Sequence, residues 1–391
     1  MRAAPWALAL ALVAAPALGQ PAPIVAGAVI PETGLFADFG AGMKRALEQW
    51  RDECNAAGGL LGRPLELRLL DDHSEATASL QLYAQLIEQA HAELLLGPFG
   101  SAATVAASSV TERAGRVLVN ATGAARNIQR AGRQFVVSVP APYAAYGTGP
   151  LSVAHAAGYV RLQIVRRADP ASREAAEALA ALARAAGLEV ALDTALGGAK
   201  DVAARISAAR ARNAQAWIGF GGVEDAAQTI RTFKRLAYAP WMLLVEGMAD
   251  PRIFADVGQD AEFALGLTTY DPVDPSPANA AFLAGWRRHG PGEPGAAAAA
   301  AYSAARVLEA GVRAAGSLEP ARLRSALGAL QLATPIGRFA VDADGVQTGV
   351  KPVVVQILRG RREIVWPSER ATAKWRLPYP RWDERRVHAT P

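Results

Sequence analysis

The sequence has few of the side chains that enzymes and metalloproteins use most often. It contains one cysteine, Cys54, and five histidines, which lie far apart at positions 73, 91, 155, 289 and 388. One cysteine cannot form an internal disulfide, and no pair of these histidines has the spacing typical of a metal site. Cys54 shares a helical stripe with Met43, Ala46 and Trp50, which predicts a core residue rather than a reactive thiol. We therefore expect no metal, no cofactor and no cysteine-based catalysis.

The sequence also lacks a concentrated block of one charge. Its net charge of +5 comes from 41 basic and 36 acidic residues spread along the chain. The densest charged run, RWDERR at 381–386, is mixed in sign. Nucleic-acid binding would require a basic stripe or an aromatic platform, so we expect no nucleic-acid partner.

No apolar run reaches membrane-spanning length, and the amino terminus carries a shorter one. Arg2 precedes PWALALALVAAPAL, and small residues follow at Ala17 and Gly19. This pattern predicts a secretory signal peptide over residues 1–19, and no cysteine follows it to carry a lipid anchor. We expect a soluble protein in the periplasm.

After this segment, short β-type runs alternate with longer helical runs. The first series begins with IVAGAVI, 24–30, and a helix near 38–57, and it ends with RVLVNA, 116–121. A second series begins with VRLQIVRR, 160–167, and ends with PWMLLVEG, 240–247. Such alternation predicts an α/β fold with parallel sheets that are covered by helices on both faces.

The last third of the sequence has a different pattern. Helices are predicted near 278–289, 296–315 and 319–329, followed by the β-type runs GRFAVDADG and KPVVVQILRGRREIVW. A helical block after two βα series suggests that the chain returns to complete its first unit. Two doubly wound lobes joined by several hinge strands would leave a cleft between them.

The loop after the first strand, PETGLFADFG at 31–40, does not match a nucleotide-binding motif. It lacks the GK[ST] of a P-loop, and the preceding GAV is not part of GxGxxG. Ser101, in GPFGSAA, stands between a strand and a helix but lacks the second glycine of a GxSxG nucleophile elbow. A secreted α/β hydrolase that uses Ser101 remains an alternative, although no histidine has a spacing that predicts a triad.

Small and polar residues recur where a strand ends and a helix is predicted to begin. ETG at 32–34, GS at 100–101 and NATGAA at 120–125 share this context. Ligands of open α/β sheets bind at the carboxyl ends of strands, and helix N-termini favour anions. The pattern also fits plain N-caps at Ser101 and Thr122. Three such sites on one lobe favour an anion-binding lip.

Glu246 ends an apolar strand of the second series. A carboxylate in this position is costly to desolvate without a cation partner. The alternative is a solvated carboxylate in a loop. The functional interpretation is a counter-charge for an ammonium group on a ligand.

Several stretches, in this order and spacing, resemble a known family. GAVIPETGLFADFGAGMKRALEQWRDECNAAGGLLGRPLELRLLDD contains a Pro-x-Thr-Gly loop, Asn-Ala-x-Gly-Gly and a strand ending in acids, and LLLGPFGSAAT contains Gly-Pro-x-x-Ser. AAYSAARVLEAGVRAAGSLEPARLRSAL, TPIGRFAVDADG and VVVQILRGR follow. The chain resembles the periplasmic solute-binding proteins of ABC transporters, of the type that binds leucine, isoleucine and valine, and its amide-binding relatives.

The resemblance implies two Rossmann-like lobes of the periplasmic-binding-protein type I, joined by three hinge crossovers, with the ligand cleft between them. The expected boundaries are 1–19 for the signal peptide, 22–139 plus 269–341 for lobe 1, and 140–268 plus 342–391 for lobe 2.

The resemblance also implies roles for individual residues. A serine hydroxyl and backbone N–H groups of lobe 1 hold the ligand carboxylate in this family, and these correspond to Ser101 and the Gly123–Ala124 stretch. The acid for the ligand amine corresponds to Glu246, and a pocket aromatic corresponds to Phe39. The complete set of expected ligand-binding residues is Ser101, Gly123, Ala124, Glu246, Phe39, Thr122, Gly100, Phe220, Val223 and Tyr302.

Two aromatic walls of the usual pocket are missing from the sequence. Pro170 stands roughly where relatives have a tyrosine, and Val223 and Glu224 replace an aromatic after GFGG. We therefore expect a ligand other than a standard branched-chain amino acid.

The expected function is that of an exported, non-catalytic solute receptor, which closes around a small molecule that bears a carboxylate. An amino acid or amide is the leading class, and an aromatic or aliphatic carboxylate is the second. The expected partner is an inner-membrane ABC permease that recognises the closed form of a monomer. A ligand-sensing domain for a membrane sensor is the remaining alternative.

Overall fold

The computed structural model describes residues 21–129, 132–194, 196 and 198–385. The predicted signal peptide, residues 1–19, lies outside the described residues. Within them, strands and helices alternate along the first two thirds of the chain, as the hydrophobic pattern predicts.

The first βα series forms a five-stranded parallel sheet, sheet 1. Its elements are β1 (Ile24–Ile30), α1 (Ala37–Ala56), β2 (Leu65–Asp71), α2 (Ser79–Glu88), β3 (Leu94–Leu96), α3 (Ser101–Arg113), β4 (Leu118–Asn120) and β5 (Val136–Ser138). The spatial order is β2-β1-β3-β4-β5, and every neighbouring pair is parallel. The carboxyl ends of these strands therefore share one edge of the sheet.

The second series forms most of another sheet, sheet 2. Its elements are α4 (Thr148–Ala156), β6 (Arg161–Arg166), α5 (Pro170–Ala185), β7 (Glu189–Thr194), α6 (Ala199–Ala211), β8 (Ala216–Phe220), α7 (Val223–Arg235), β9 (Met242–Val245), α8 (Ile253–Val257) and β10 (Leu265–Thr268). Strands β6 to β10 pair in parallel. Strand β8 is buried at every residue, as expected for a strand covered on both faces.

The last part of the chain adds helices and a hairpin to the first unit and two strands to sheet 2. Three helices and a small hairpin follow β10, and the final two strands extend sheet 2. These elements are α9 (Pro277–Arg288), α10 (Ala296–Ala315), α11 (Pro320–Ala329), β11 (Leu332–Thr334), β12 (Gly337–Phe339), β13 (Val353–Leu358) and β14 (Arg361–Trp366). Sheet 2 has the order β14-β13-β10-β9-β8-β6-β7, with β13 antiparallel to both of its neighbours.

Helix α10 packs on α1 and shares a hydrophobic core with sheet 1. The buried residues of α1 include Met43, Leu47, Trp50 and Cys54, which lie on one helical stripe. The prediction that Cys54 is a core residue is confirmed, and burial raises the pKa of its thiol to about 11. We call sheet 1 with α1–α3, α9–α11 and the β11–β12 hairpin lobe 1, and sheet 2 with α4–α8 lobe 2.

The chain passes between the lobes three times, after β5, after β10 and after β12. Two buried ion pairs lie at the second passage. Arg362 Nε contacts Asp271 Oδ2 at 2.7 Å, and Arg370 pairs with Asp274. The Arg370 guanidinium also lies within 3.5 Å of the Lys351 carbonyl, which belongs to the third passage. The segment after β14 therefore links two crossovers.

One local prediction is wrong. NATGAA at 120–125 is followed only by the 3-10 turn Arg126–Ile128 and then by β5, not by an α-helix. Among the helices within the described residues, none is long and apolar enough to cross a bilayer.

Candidate functional site

Ser101, Gly100 and Thr122 lie together at the carboxyl edge of sheet 1. Ser101 is the first residue of α3, and Gly100 precedes it with a positive φ of 84°. Thr122 Oγ1 accepts a hydrogen bond from the Gly100 N–H at 2.8 Å and donates to the Pro98 carbonyl at 2.9 Å. Thr122 therefore joins two strand ends and is not a simple N-cap.

The Ser101 hydroxyl oxygen accepts two backbone hydrogen bonds. The Ala124 N–H donates to Ser101 Oγ at 3.1 Å, and the Ala125 N–H does so at 3.2 Å. The Gly123 N–H donates to Asn120 Oδ1 at 2.8 Å. The Gly123 and Ala124 N–H groups, which the resemblance assigns to the ligand carboxylate, both donate within the protein in this arrangement. With its oxygen occupied, Ser101 retains its own O–H to donate.

Tyr143 is the site residue that the sequence did not predict. It lies on the first crossover, and its N–H donates to the Ala124 carbonyl at 3.0 Å. Burial raises the pKa of its phenol, and the interaction with the Ser101 hydroxyl partly opposes this shift. Its only sequence signal was its place in the Pro-punctuated stretch VPAPYAAYG, which fits a linker equally well.

Glu246 lies at the end of β9, on the lobe 2 side of the site. It is half-buried, and burial raises the pKa of its carboxyl to about 7, with a further contribution from the charge of Asp169. A hydrogen bond from the Gly221 N–H lowers the pKa of the Glu246 carboxyl and partly offsets this rise. The charges of Glu246 and, more weakly, of Asp169 and Glu174 also raise the pKa of the Tyr143 phenol. Lobe 2 therefore presents an acidic wall to the Ser101–Tyr143 pair of hydroxyls.

The two lobes also meet beside this pair. The Arg126 N–H in lobe 1 donates to the Glu174 carboxylate in lobe 2, at 3.3 and 3.4 Å from its two oxygens. Arg252 in lobe 2 has a raised pKa, mainly because it is bonded to Asp250, and Asp38 at the start of α1 adds to the effect. Tyr143 also relates the two lobes, because its phenol interacts with the Ser101 hydroxyl of lobe 1 and with the charge of Glu246 in lobe 2.

Three phenylalanine rings form the lobe 1 side of the cleft mouth. Phe39 stacks on Phe99 with ring centres 4.8 Å apart, and Phe36 lies 5.3 Å from Phe99. A cavity of about 230 Å³ adjoins them, and its lining includes Phe36, Phe99, Asp72 and Ser101. We call Phe36, Phe39 and Phe99 the aromatic lip.

Of the expected residues, Gly100 and Ser101 line this cavity, whereas three others lie in or against hydrophobic cores. Tyr302 is buried in the lobe 1 core, where its ring packs against Phe282 and its hydroxyl donates to Glu53 at 2.5 Å. Phe220 is fully buried in a lobe 2 core. Val223 begins α7 and packs, partly buried, against another lobe 2 core. The structure corrects the expected role of Tyr302 and Phe220, because their side chains fill cores.

A family profile described as "Periplasmic binding protein" matches residues 23–361. The chain belongs to this family. The resemblance inferred from the sequence motifs is thereby confirmed at the family level, and the two-lobed fold agrees with it.

Individual proteins are similar to this chain over most of their length. The "Leu/Ile/Val-binding protein BraC3" of Rhizobium johnstonii is 27% identical over 336 residues, which is 83% of this chain and 89% of that protein. A crystallised ABC transporter substrate-binding protein from Desulfitobacterium hafniense, in complex with Leu, has a TM-score of 0.76 at 21% identity and covers 88% of this chain and 99% of that one. A solute-binding protein from R. palustris, in complex with benzoate, has a TM-score of 0.71 at 20% identity, covering 88% and 95%.

Proposed function

We propose that this periplasmic binding protein is the solute receptor of an ABC importer and binds a small molecule with a carboxylate and an amine or amide group. The observation that carries the proposal is that the Tyr143 phenol interacts with both the Ser101 hydroxyl of lobe 1 and the Glu246 carboxyl of lobe 2. The Ser101 hydroxyl suits a ligand carboxylate, and the Glu246 carboxylate suits a ligand ammonium. Ligand contacts to both lobes would favour the closed state.

The relatives support an amino acid as the leading class, since one is named for leucine, isoleucine and valine. The fold alone does not select the ligand, because similar structures hold leucine in one case and benzoate in another. An aromatic or aliphatic carboxylate is therefore the second candidate class.

A receptor fits the surroundings of Ser101 better than a hydrolase does. A serine nucleophile needs a base that takes its proton. The Ser101 oxygen instead accepts two backbone N–H groups and lies beside a phenol whose pKa is raised. Covalent labelling of Ser101 by a fluorophosphonate probe would contradict the receptor proposal.

The proposed setting is the periplasm, with export directed by residues 1–19 and an ABC permease as partner of a monomeric receptor. A membrane sensor in place of the permease is the alternative partner. Mass spectrometry of protein from the native host should find a mature chain that begins near Gln20. Retention of residues 1–19 on cytoplasmic protein would contradict export.

The test of the binding site compares wild type and Glu246→Gln by calorimetry, with L-leucine and its deaminated analogue 4-methylpentanoate as probes. Glu246→Gln should weaken L-leucine binding by about 2–5 kcal/mol, because the ligand ammonium loses its counter-charge. The same change should leave 4-methylpentanoate binding equal or tighter, since a repelling charge is removed.

Glu189→Gln is the matched control, because Glu189 is exposed at the opposite end of a lobe 2 strand. It should change neither affinity. Equal effects of Glu246→Gln on both probes would place Glu246 outside the ligand site.

A further inference from the structure

The aromatic lip exposes an unusual amount of apolar surface. Phe39 is 43% exposed and Phe36 is 36% exposed. Clustered apolar residues on the surface of a soluble protein usually mark a site of contact. The location of this cluster, beside the cavity that Ser101 lines, indicates a small-molecule contact.

The rings are held in a fixed arrangement. Phe39 and Phe99 are nearly parallel, with an interplanar angle of 15°, and Phe36 is tilted by 50° to Phe99. Hydrogen bonds fix the loop that carries Phe36. The Phe36 N–H donates to Ser74 Oγ at 3.0 Å, and the Ser74 hydroxyl donates to the Thr33 carbonyl at 2.7 Å. The site is therefore largely pre-formed, which lowers the entropic cost of binding.

The cavity has room for a ring. Its volume of about 230 Å³ exceeds the roughly 150 Å³ of an apolar cavity that accommodates benzene. Stacked and tilted arrangements around a ring are the geometries that aromatic side chains prefer.

The lobe 2 wall is different in kind. It carries the carboxylates of Glu246, Asp169 and Glu174, whose charges all act on the Tyr143 phenol. Apolar recognition is thus concentrated on lobe 1, next to the Ser101 hydroxyl, and charge recognition on lobe 2.

We propose that the aromatic lip binds an aromatic ring of the ligand, so that the preferred ligand is an aromatic amino acid and not a branched aliphatic one. This inference rests on the proposed function, because it uses Ser101 and Glu246 as the ends that hold the carboxylate and amine. The inference adds to the proposed function the chemical class of the ligand's side chain.

The test measures calorimetric affinities of the full mature chain for L-phenylalanine, L-cyclohexylalanine and L-leucine. L-Phenylalanine should bind about tenfold more tightly than L-leucine. L-Cyclohexylalanine, which has a similar volume without a π-system, should fall between them. Phe39→Leu keeps an apolar side chain and should weaken L-phenylalanine binding about fivefold while changing L-leucine binding less than twofold, since a ring contact is lost.

Leu35→Ala is the control variant, because Leu35 is highly exposed in the same loop and carries no ring. It should leave the preference for L-phenylalanine unchanged. Tighter binding of L-leucine than of L-phenylalanine by wild type, or equal weakening of both by Phe39→Leu, would overturn the inference and leave the receptor function intact. Failure of all three amino acids to bind wild type would overturn both this inference and the assignment of an amino acid as the leading ligand class.

Discussion

At the scale of single residues, the ionisation of Glu246 should control ligand affinity. Burial and the neighbouring Asp169 raise the pKa of its carboxyl to about 7, so it is partly protonated at neutral pH. In the free protein this group favours folding most at low pH, and its contribution declines as the pH rises from the usual carboxyl range towards 7. Binding of a ligand ammonium has the opposite pH dependence, because it requires the ionised form of the Glu246 carboxyl.

We therefore expect the affinity for an L-amino acid to fall as the pH is lowered from 8 to 6. The ionised fraction of a carboxyl with a pKa of about 7 decreases roughly tenfold over this interval, and the binding constant should follow it. Calorimetry across this range checks the prediction. Glu246→Gln should flatten the profile, and a flat profile in wild type would show that Glu246 does not contact the amine.

Two members of the site could be predicted from the sequence because of where they stand. Ser101 follows a short apolar strand and begins a helix, and Glu246 ends another strand, so each belongs to the carboxyl edge of its sheet. Tyr143 could not be predicted, because its contact with Ser101 depends on how the first crossover folds back. The bond of the Ala124 N–H also depends on tertiary structure, since its acceptor Ser101 belongs to α3.

At the scale of elements, the first turn of α1 positions the aromatic lip. Gly40 follows Phe39 directly, and a Cβ at Gly40 would lie 1.9 Å from the Pro31 carbonyl oxygen. No side chain fits there without moving the loop away from the helix. Glycine is therefore required at this close approach.

Gly40→Ala should destabilise the protein by about 1–3 kcal/mol, as overpacking usually does, and should weaken ligand binding because the loop and Phe39 shift. Gly42→Ala is the matched control on the same helix, since its Cβ would lie 3.4 Å from the Ala298 Cβ, an ordinary contact. It should be neutral or stabilising by up to about 1 kcal/mol. Urea unfolding with calorimetric binding measures both variants, and equal effects would contradict the argument.

The helices themselves followed from the period of their apolar residues. The predictions near 296–315 and 319–329 agree with α10 and α11 to within about one residue. The expected helix after NATGAA failed for a local reason. The stretch after Asn120 contains few apolar residues at helical spacing, and the Asn120 side chain bonds both the N–H and the carbonyl of Gly123, which stabilises a turn.

At the scale of the whole molecule, the buried ion pair between Arg370 and Asp274 joins the segment after β14 to the second crossover. The Asp274 side chain is fully buried, so removal of the arginine would leave an uncompensated charge. Arg370→Met should therefore lower the free energy of unfolding by about 3–5 kcal/mol.

Arg381→Met is the control, since Arg381 pairs with Asp383 on the exposed surface. It should leave the unfolding free energy unchanged. Urea denaturation measures both variants. Equal midpoints for Arg370→Met and wild type would show that the crossover does not depend on this pair.

The burial of Cys54 has a practical consequence for the whole molecule. Cys54 is 2% exposed, and its thiol, with a pKa of about 11, is almost entirely protonated at neutral pH. Thiol-reactive dyes should therefore not label the native protein at this position. A cysteine introduced at Leu35, beside the aromatic lip, would then be the single labelled position. Ligand binding would change the polarity around a fluorophore at this position and therefore its emission. The protein is thus suited to conversion into an optical biosensor.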